Sequence, residues 1–160
     1  MSLLQITRCV LIAAGLALPI HSANSTNHET IQQDSKYTFS DLHCLTKNIY
    51  HEARGESYKG KLAVAQVTMN RVNDPSRWAS SICGVVYEKV RGIPQFTWTT
   101  MQNLKVVDYK SWLEAREIAY KVLTGELIIN NFKHQYFHHV SLQIAQKYKN
   151  SLTIGNHVFY

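Results

Sequence analysis

The sequence predicts an α+β domain that is mainly helical, with small β pieces around a buried central helix. Three segments repeat apolar residues at helical spacing, and each follows a residue that can cap a helix. The second of these segments, 58–72, is apolar on nearly all sides, which is typical of a helix packed inside a domain. The C-terminal part is rich in aromatic residues and histidine and carries short extended runs, so helices and small strands share one domain.

The first helix is expected to run from Asp41 to about Ala53, with Ser40 as its N-cap. Its apolar residues recur at helical spacing: Leu42, Leu45, Ile49 and Ala53. Glu52 lies on the shoulder of this apolar stripe and not on the opposite, solvated face. Gly55 is expected to end the helix, because glycine tolerates the backbone conformation found after a helix C-terminus.

The second and third helices have clear signals at their ends. Ser57 precedes the second helix, Tyr58 to Val72, and can cap it. Asp108 precedes the third helix, Tyr109 to about Leu123, and Gly125 stands where a C-terminal cap glycine belongs.

Short pieces without a helical pattern connect and follow the helices. Residues 78–90 are expected to form a turn followed by a short helix or an extended piece. Aromatic residues alternate with threonine over 95–99, which favours a strand or a hairpin arm. The segments 134–139 and 154–160 are expected to be extended.

The first 23 residues have the layout of a secretory signal peptide. Arg8 precedes an uncharged apolar run, Cys9 to Leu18, and small polar residues follow it. The run is shorter than the ~20 residues that a membrane-spanning helix needs, although a retained anchor is the alternative. We therefore expect an exported protein, periplasmic or secreted, with a signal peptide over 1–23, a flexible lead-in over 24–38 and one folded domain over 39–160.

The chain is basic, with 17 Lys and Arg against 11 Asp and Glu and a net charge of +6. A basic exported protein suits a polyanionic target, and both bacterial wall polymers and nucleic acids qualify. Because no run of lysine and arginine and no basic–aromatic repeat marks a nucleic-acid surface, nucleic acid is not the expected partner. We expect a monomer without stable membrane association after signal removal.

Two cysteines, Cys44 and Cys83, remain once Cys9 is removed with the signal. Two cysteines in an exported protein usually pair, and a bridge that closes this loop would stabilise the fold by roughly 4 kcal/mol on the chain-entropy model. Two buried free thiols are the alternative, which the expected location outside the cytoplasm disfavours.

Five sequence pieces in order carry a resemblance to a known family. The first surrounds Glu52 and continues into the second helix: Ile49-Tyr50-His51-Glu52-Ala53-Arg54-Gly55-Glu56, then 59–71. The others are Ile82-Cys83-Gly84-Val85-Val86-Tyr87, Gln95-Phe96-Thr97-Trp98-Thr99, Tyr136-Phe137-His138 and 154–160. Together they resemble the SleB-type cell-wall hydrolases, the family of spore cortex-lytic enzymes and their relatives. The resemblance covers nearly the whole predicted domain and identifies it as a catalytic one.

The resemblance implies a compact relative of the lysozyme and lytic transglycosylase fold, with a glutamate at the end of the first helix as the acid. In this chain that residue is Glu52. The implied substrate is the linkage between muramic acid and glucosamine in the glycan strands of peptidoglycan. The implied reaction is lytic transglycosylation, whereas the amidase reaction associated with some relatives has no support in these residues.

The expected surroundings of Glu52 favour the same role. Glycoside cleavage needs a carboxylic acid that stays protonated near neutral pH, and apolar neighbours raise the pKa of a carboxyl by disfavouring its charged form. Leu45, Ile49 and Tyr50 are expected beside it. An arbitrary helix glutamate more commonly forms a surface ion pair, here with Arg54 or a lysine, and the family motif is what favours the acid.

Glu56 is the candidate for a supporting or second carboxylate, because it follows Glu52 by four residues. Gly55 between them is expected to turn Glu56 away, so that it pairs with Arg54 or Arg71 or caps the next helix. No other carboxylate is expected near Glu52. A single glutamate that acts first as acid and then as base predicts a 1,6-anhydro product, because hydrolysis normally uses two carboxylates.

Six residues are candidates for substrate binding: Tyr50, Gln95, Phe96, Trp98, Tyr136 and His138. Sugars stack their apolar faces on aromatic rings and hydrogen-bond to amides, so Gln95 is the expected polar contact. Tyr136 and His138 alternate along a predicted strand and therefore share a face. The alternatives are that Phe96 and Trp98 are core residues of a small sheet and that His138 is a core histidine.

Eight histidines raise the question of a metal site. The candidate ligands are His134, His138 and His139 together with His157 or His51. Their spacing matches no closed zinc pattern, so no metal and no cofactor are expected. Two alternatives to the glycosidase stay open: a metal-dependent peptidoglycan amidase, which a chelator would inhibit, and a non-catalytic wall-binding module, which would release no fragments.

Overall fold

The computed structural model describes residues 36–142 and 148–160, which fold as an α+β domain dominated by helices. The predicted signal peptide and the predicted lead-in up to residue 35 lie outside the described residues. Within the described ranges the elements are α1 Phe39–Ala53, α2 Tyr58–Val72, α3 Ile82–Val86, β1 Lys89–Val90, β2 Ile93–Pro94, a 3₁₀ turn Thr97–Thr100, α4 Tyr109–Leu123, β3 Phe137–His139, β4 Leu152–Ile154 and β5 His157–Phe159. No helix in these ranges is long and apolar enough to cross a membrane.

Helix α2 is the centre of the domain, as its apolar circumference predicted. Residues 60–69 are all buried, and α1, α3 and α4 pack against the helix. Ser57 caps its first turn by accepting a hydrogen bond from the backbone three residues on. Lys61 is buried as well, and its Nζ lies 2.6 Å from Glu114 Oε2, so an ion pair joins α2 to α4.

Helix α1 begins earlier than the sequence predicted, because its cap is Thr38 and not Ser40. Thr38 Oγ1 accepts a hydrogen bond from Asp41 N, and the Asp41 carboxylate accepts one from Thr38 N at 2.9 Å. This reciprocal pair needs an acceptor side chain three residues after the cap. Ser40 has His43 at that position, and its hydroxyl lies instead 3.4 Å from Cys83 Sγ.

The predicted disulfide between Cys44 and Cys83 is present and joins α1 to α3, with the two Cα atoms 5.3 Å apart. Both helices contribute to one hydrophobic cluster, in which Ile82 and Val85 of α3 are almost fully buried. The bridge therefore fastens the helix that carries Glu52 to the segment that follows the central helix.

Residues 95–99 do not form the predicted strand. The strands β1 and β2 lie just before them, as a hairpin whose turn residues, 91–92, both have positive φ. Residues 97–100 form the 3₁₀ turn, in which Thr99 Oγ1 donates to Phe96 O at 2.7 Å. Threonine hydroxyls that bond to nearby carbonyls offer the backbone an alternative to a strand ladder, and this alternative is taken here.

Helix α4 has the predicted bounds. Asp108 caps it by accepting a hydrogen bond from Ser111 N at 3.0 Å, and Gly125 follows the helix with a φ of 79°. After α4 the chain forms a three-stranded antiparallel sheet in the order β3–β5–β4. The predicted extended segment 154–160 is extended over β5, His157–Phe159, but it begins at the end of β4 and contains a turn, where Gly155 adopts a φ of 58° and the chain reverses.

Candidate active site

A pocket of about 450 Å³ opens where the ends of α1 and α2 meet the C-terminal sheet. Its lining combines a carboxylate, a guanidinium, an amide, aromatic rings and imidazoles: Glu52, Arg71, Pro94, Gln95, Phe96, Thr97, Phe137, His138, His139 and His157. Among the described residues that line this pocket, Glu52 is the only carboxylate. The fold thus places one carboxyl and one buried positive charge in the same cavity.

Glu52 lies in the last turn of α1 and is half-buried. Burial raises the pKa of Glu52 to about 7, and the positive charge of Arg71 acts in the opposite direction. Near neutral pH the carboxyl is therefore present in both its protonated and its ionised form. Such a group can donate a proton and take one back without a large change of pH.

Arg71 is buried near the end of α2, and the sequence pattern predicted no site role for it. Its guanidinium carbon lies 4.3 Å from the ring centroid of Trp78, 5.0 Å from that of Phe96 and 5.6 Å from that of Tyr136. Burial lowers the pKa of Arg71 to about 10, so the group stays charged at neutral pH. The signal that could have identified it is a charged residue on a helix that is otherwise predicted to be buried.

Three histidines of the C-terminal sheet, His138, His139 and His157, form the other side of the pocket. His157 is buried, and this burial lowers its pKa although the nearby charge of Glu56 raises it, so the ring is uncharged at neutral pH. His138 and His139 are exposed, so His138 is not the core histidine that the sequence left open. His51, in the last turn of α1, does not line this pocket and stacks instead on Trp98, with the two ring centroids 4.7 Å apart.

Glu56 does not take the partners that the sequence predicted. Its carboxylate accepts hydrogen bonds from Asn156 N and Asn156 Nδ2, both at 3.1 Å, and not from Arg54 or Arg71. The turn between β4 and β5 lies directly against this carboxylate, so that a side chain at Gly155 would collide with it. Glu56 therefore holds a turn of the sheet and adds no second carboxylate to the pocket lining.

Two of the predicted substrate contacts, Tyr50 and Trp98, are core residues. Tyr50 is fully buried, and its hydroxyl accepts hydrogen bonds from Val107 N and Asp108 N, both at 3.0 Å. Trp98 is also buried, and its Nε1 donates to Asn48 Oδ1 at 3.1 Å. The polar atoms of both rings bind the protein itself, and neither residue lines the pocket.

Three of the other predicted contacts lie in the Glu52 pocket. Gln95 and His138 line it with partly or fully exposed side chains. Phe96 forms part of the wall, although only 2% of the residue is exposed, and its ring faces the guanidinium of Arg71. Phe96 is therefore both a pocket residue and a core residue.

A second cavity of about 630 Å³ adjoins the first, because His138 lines both. Its other lining residues are Tyr136, Tyr148 and Tyr160. The rings of Tyr148 and Tyr160 stack in parallel with their centroids 3.9 Å apart, and the Tyr136 ring lies 5.7 Å from that of Tyr160. The cavity next to the Glu52 pocket is thus lined mainly by the rings of three tyrosines.

Within residues 36–142 and 148–160, no three side chains of histidine, cysteine, aspartate or glutamate are grouped so that they could hold a metal ion. His134, one of the candidate ligands, packs edge-on against Phe132 with the ring centroids 4.8 Å apart. That no metal or cofactor takes part stays a prediction from the sequence.

Residues 55–160 match the model of a protein family described as Cell Wall Hydrolase. The matched range covers most of the chain, including the whole of α2 and the C-terminal sheet, and begins just after Glu52.

Curated relatives include two spore cortex-lytic enzymes. That of Bacillus subtilis (strain 168) is 40% identical over 52 residues, which are 32% of this chain and 17% of that protein. That of Oceanobacillus iheyensis is 33% identical over 93 residues, which are 56% of this chain and 29% of that protein. The matches therefore span less than a third of the length of these relatives.

Two solved structures share the fold. The catalytic domain of the germination-specific lytic transglycosylase SleB from Bacillus anthracis gives a TM-score of 0.59 at 23% identity, over 78% of this chain and 96% of that chain. The catalytic domain of the Bacillus cereus SleB protein gives a TM-score of 0.58 at 22% identity, over 77% and 91% of the two chains. The predicted lysozyme-like, mainly helical α+β fold and the predicted resemblance to SleB-type hydrolases are confirmed.

Proposed function

This chain belongs to the cell wall hydrolase family, and from this membership we propose that it cleaves the glycan strands of peptidoglycan. The proposed bond joins N-acetylmuramic acid to N-acetylglucosamine, and the proposed reaction is lytic transglycosylation. The SleB protein of Bacillus anthracis, whose fold this chain shares, is described as a lytic transglycosylase. The observation that carries the proposal is Glu52, the single carboxyl among the described residues that line the pocket, with a pKa of about 7.

Glu52 is proposed to act as both the acid and the base of the reaction. Its protonated form donates a proton to the glycosidic oxygen, the bond from that oxygen to C1 of muramic acid breaks, and glucosamine leaves with a new hydroxyl. The C6 hydroxyl of the same muramic acid then attacks C1 and gives its proton to the Glu52 carboxylate. A 1,6-anhydro ring forms, no water is consumed, and Glu52 is protonated again for the next cycle.

Digestion of purified sacculi should release muropeptides that end in 1,6-anhydro-muramic acid. A hydrolysing muramidase acting on the same sacculi is the control, because its products are heavier by one water and mass spectrometry separates the two sets. If only reducing, hydrated ends are found, a water molecule is being activated and Glu52 does not act alone. Free peptides released in a chelator-sensitive reaction would indicate the amidase, and binding without release would indicate the non-catalytic module.

The glycan is further proposed to extend from the Glu52 pocket across His138 into the second cavity. A polymer can occupy both cavities at once because His138 lines both of them. Sugar rings present apolar faces that pack on aromatic rings, and phenolic hydroxyls provide hydrogen bonds at the same surface. Gln95 and Phe96 would then contact the sugars next to the cleaved bond, and Tyr136 and Tyr148 the sugars further along the strand.

Replacing Tyr148 by Ala should raise KM for soluble glycan oligomers about fivefold, equivalent to roughly 1 kcal/mol for one aromatic contact, with little change in kcat. Tyr120→Ala is the matched control, because Tyr120 on α4 is 51% exposed against 49% for Tyr148 and lines neither cavity. Equal effects of the two substitutions, measured by initial rates over a range of oligomer concentrations, would contradict this binding surface.

Export is part of the proposal, since peptidoglycan lies outside the cytoplasmic membrane. The apolar run that predicts a signal peptide over 1–23 supports it. After removal of the signal, the protein is proposed to act as a monomer in the periplasm or outside the cell. Its net positive charge would favour contact with anionic wall polymers.

A further inference from the structure

Two charged side chains, the buried Arg71 and the half-buried Glu88, lie against the Glu52 pocket. Arg71 lines it, and Glu88 O accepts a hydrogen bond at 3.0 Å from the backbone N–H of Gln95, which also lines it. Arg71 Nη1 and Glu88 Oε2 are both buried, and within the described ranges neither atom has a hydrogen-bond partner. Unpaired buried atoms of charged groups are costly, so their presence here indicates a role other than stabilising the fold.

We propose that Arg71, backed by Glu88, is a positioning residue whose fixed positive charge stabilises the Glu52 carboxylate that is left between donation of its proton and return of a proton to it. The inference rests on the proposed function, because it explains how one carboxyl performs both halves of the reaction. Neither Arg71 nor Glu88 is assigned a contact with the reacting atoms.

The charge of Arg71 is fixed in place by its surroundings. The rings of Trp78, Phe96 and Tyr136 surround the guanidinium, and its Nε donates to Gln135 O at 2.7 Å. Only 4% of the residue is exposed. A surface arginine would be screened by water and salt, whereas a buried one acts on its neighbours through a medium of low polarisability.

Opposing effects on Glu52 make this charge useful. Burial disfavours the carboxylate, and acting alone it would make Glu52 hold its proton too tightly to donate it readily. The Arg71 charge favours the carboxylate and so supports the step in which Glu52 donates its proton to the glycosidic oxygen, whereas burial favours the return of a proton from the C6 hydroxyl. Glu88 and Glu52 in turn both stabilise the charged form of Arg71, so Glu88 offsets part of the positive charge that Glu52 experiences.

Other titratable groups lie around Arg71 and Glu52, and none of them is changed in the variants compared below. On the sheet, His157 is uncharged at neutral pH because burial lowers its pKa, and His138 and His139 are exposed at the rim. On α1, the pKa of His51 is lowered by burial and by the charges of Lys47 and Arg54. Tyr136 and Tyr160 lie near Arg71, and burial raises the pKa of Tyr160.

The test compares Arg71→Met, Arg71→Lys and Glu88→Gln with the wild-type protein in two measurements. The first is the pH dependence of kcat/KM on soluble glycan oligomers, whose alkaline limb reports loss of the acid proton. The second is a ¹³C NMR titration of the Glu52 carboxyl in the free protein, with Glu52→Gln used to assign the signal. Arg77→Met is the matched control, because Arg77 also lies over the Tyr136 ring, at 6.0 Å, but is outside the pocket lining.

Arg71→Met should move the alkaline limb and the titration midpoint to higher pH by roughly one unit, the effect expected for loss of a nearby opposite charge. Arg71→Lys should restore both toward wild type, Glu88→Gln should move both to lower pH, and Arg77→Met should leave both in place. Lower rates with an unmoved limb and midpoint would show that Arg71 is structural only and would overturn the proposal.

If Arg71→Met does not fold, Glu88→Gln still tests the proposal. A Glu52 titration midpoint that stays in place or rises in Glu88→Gln would also overturn the proposal. The NMR titration needs no substrate, so the role of Arg71 and the transglycosylase reaction are tested independently of each other. Anhydro products with no shift of the midpoint would refute the role of Arg71 alone, and a shifted midpoint with hydrated products would refute the transglycosylase reaction alone.

Discussion

Replacing Glu52 by Gln should reduce the release of soluble fragments from sacculi by at least ~100-fold, because the amide can neither donate nor accept the proton that the reaction moves. The substitution keeps the size of the side chain, so the pocket should keep its shape. Initial rates of release, followed by mass spectrometry of the products, measure the loss. Near-normal turnover by a folded Glu52→Gln protein would remove Glu52 from the mechanism.

Two other carboxylates provide controls for that result. Glu117→Gln changes an exposed α4 residue that pairs with Lys121 and should have no effect on rate. Glu56→Gln should cost less than Glu52→Gln, because Glu56 holds the turn at Asn156 and does not line the pocket. The reverse order of the two losses would transfer the acid role to Glu56.

The stability of Glu52→Gln provides a second measurement that does not depend on activity. The pKa of Glu52 is raised from 4.5 to about 7 in the folded protein, so the folded state holds the proton more tightly than the unfolded chain. The corresponding stability is complete below the ordinary pKa and is lost as pH rises through the raised one. The variant should therefore be more stable than wild type at about pH 8 and close to it at low pH, where Glu52 is protonated. A difference independent of pH in urea unfolding would contradict the raised pKa.

Replacing both Cys44 and Cys83 by Ala should lower the free energy of unfolding by about 4 kcal/mol, the chain-entropy value for a loop of this length. The bridge spans 39 positions and joins α1 to α3, so without it the unfolded chain gains many conformations. Because single-domain proteins are stable by only about 5–15 kcal/mol, this loss should move the urea midpoint strongly. Wild-type protein unfolded with and without reductant is the control, and the reduced form should behave like the double variant.

Thiol titration tests the same bridge chemically. The unreduced, denatured protein should have no titratable thiol at Cys44 or Cys83. Two thiols, or equal stabilities of the oxidised and reduced forms, would show that Cys44 and Cys83 are not bridged. Retained activity in the double variant at low temperature would show in addition that α1 presents Glu52 correctly without the covalent link.

The helices could be predicted because their signals are local. Ser57 and Asp108 stand directly before α2 and α4, and the backbone groups that they cap lie three residues on, within the same window of sequence. The cap of α1 was placed wrongly because Thr38 and Asp41 act as a pair and Ser40 alone looks equally suitable. The 3₁₀ turn at 97–100 was missed because a strand and a turn with threonine hydroxyls share the same alternation.

The roles of the aromatic residues could not be predicted in the same way. Tyr50 belongs to the family motif around Glu52, but its hydroxyl accepts hydrogen bonds from Val107 N and Asp108 N, which no local pattern connects to it. The indole N–H of Trp98 likewise has a partner within the protein, because it donates a hydrogen bond to Asn48 Oδ1. An aromatic side chain with a polar atom is equally suited to a core and to a sugar surface, and distant partners decide between them.

The sequence by itself determined α1, α2 and α4 and their order, the pair of cysteines, the family motif and the place of Glu52 on the apolar shoulder of α1, because each depends on spacing along the chain. Only the tertiary structure decided what surrounds Glu52: Arg71 from the end of α2, His157 from the last strand, and no second carboxylate among the described pocket residues. The pKa of a carboxyl depends on burial and on the charges around it in space, and these reach Glu52 from segments far apart in the chain. Spacing along the chain therefore located the candidate acid, and the packing of distant segments set how strongly it holds its proton.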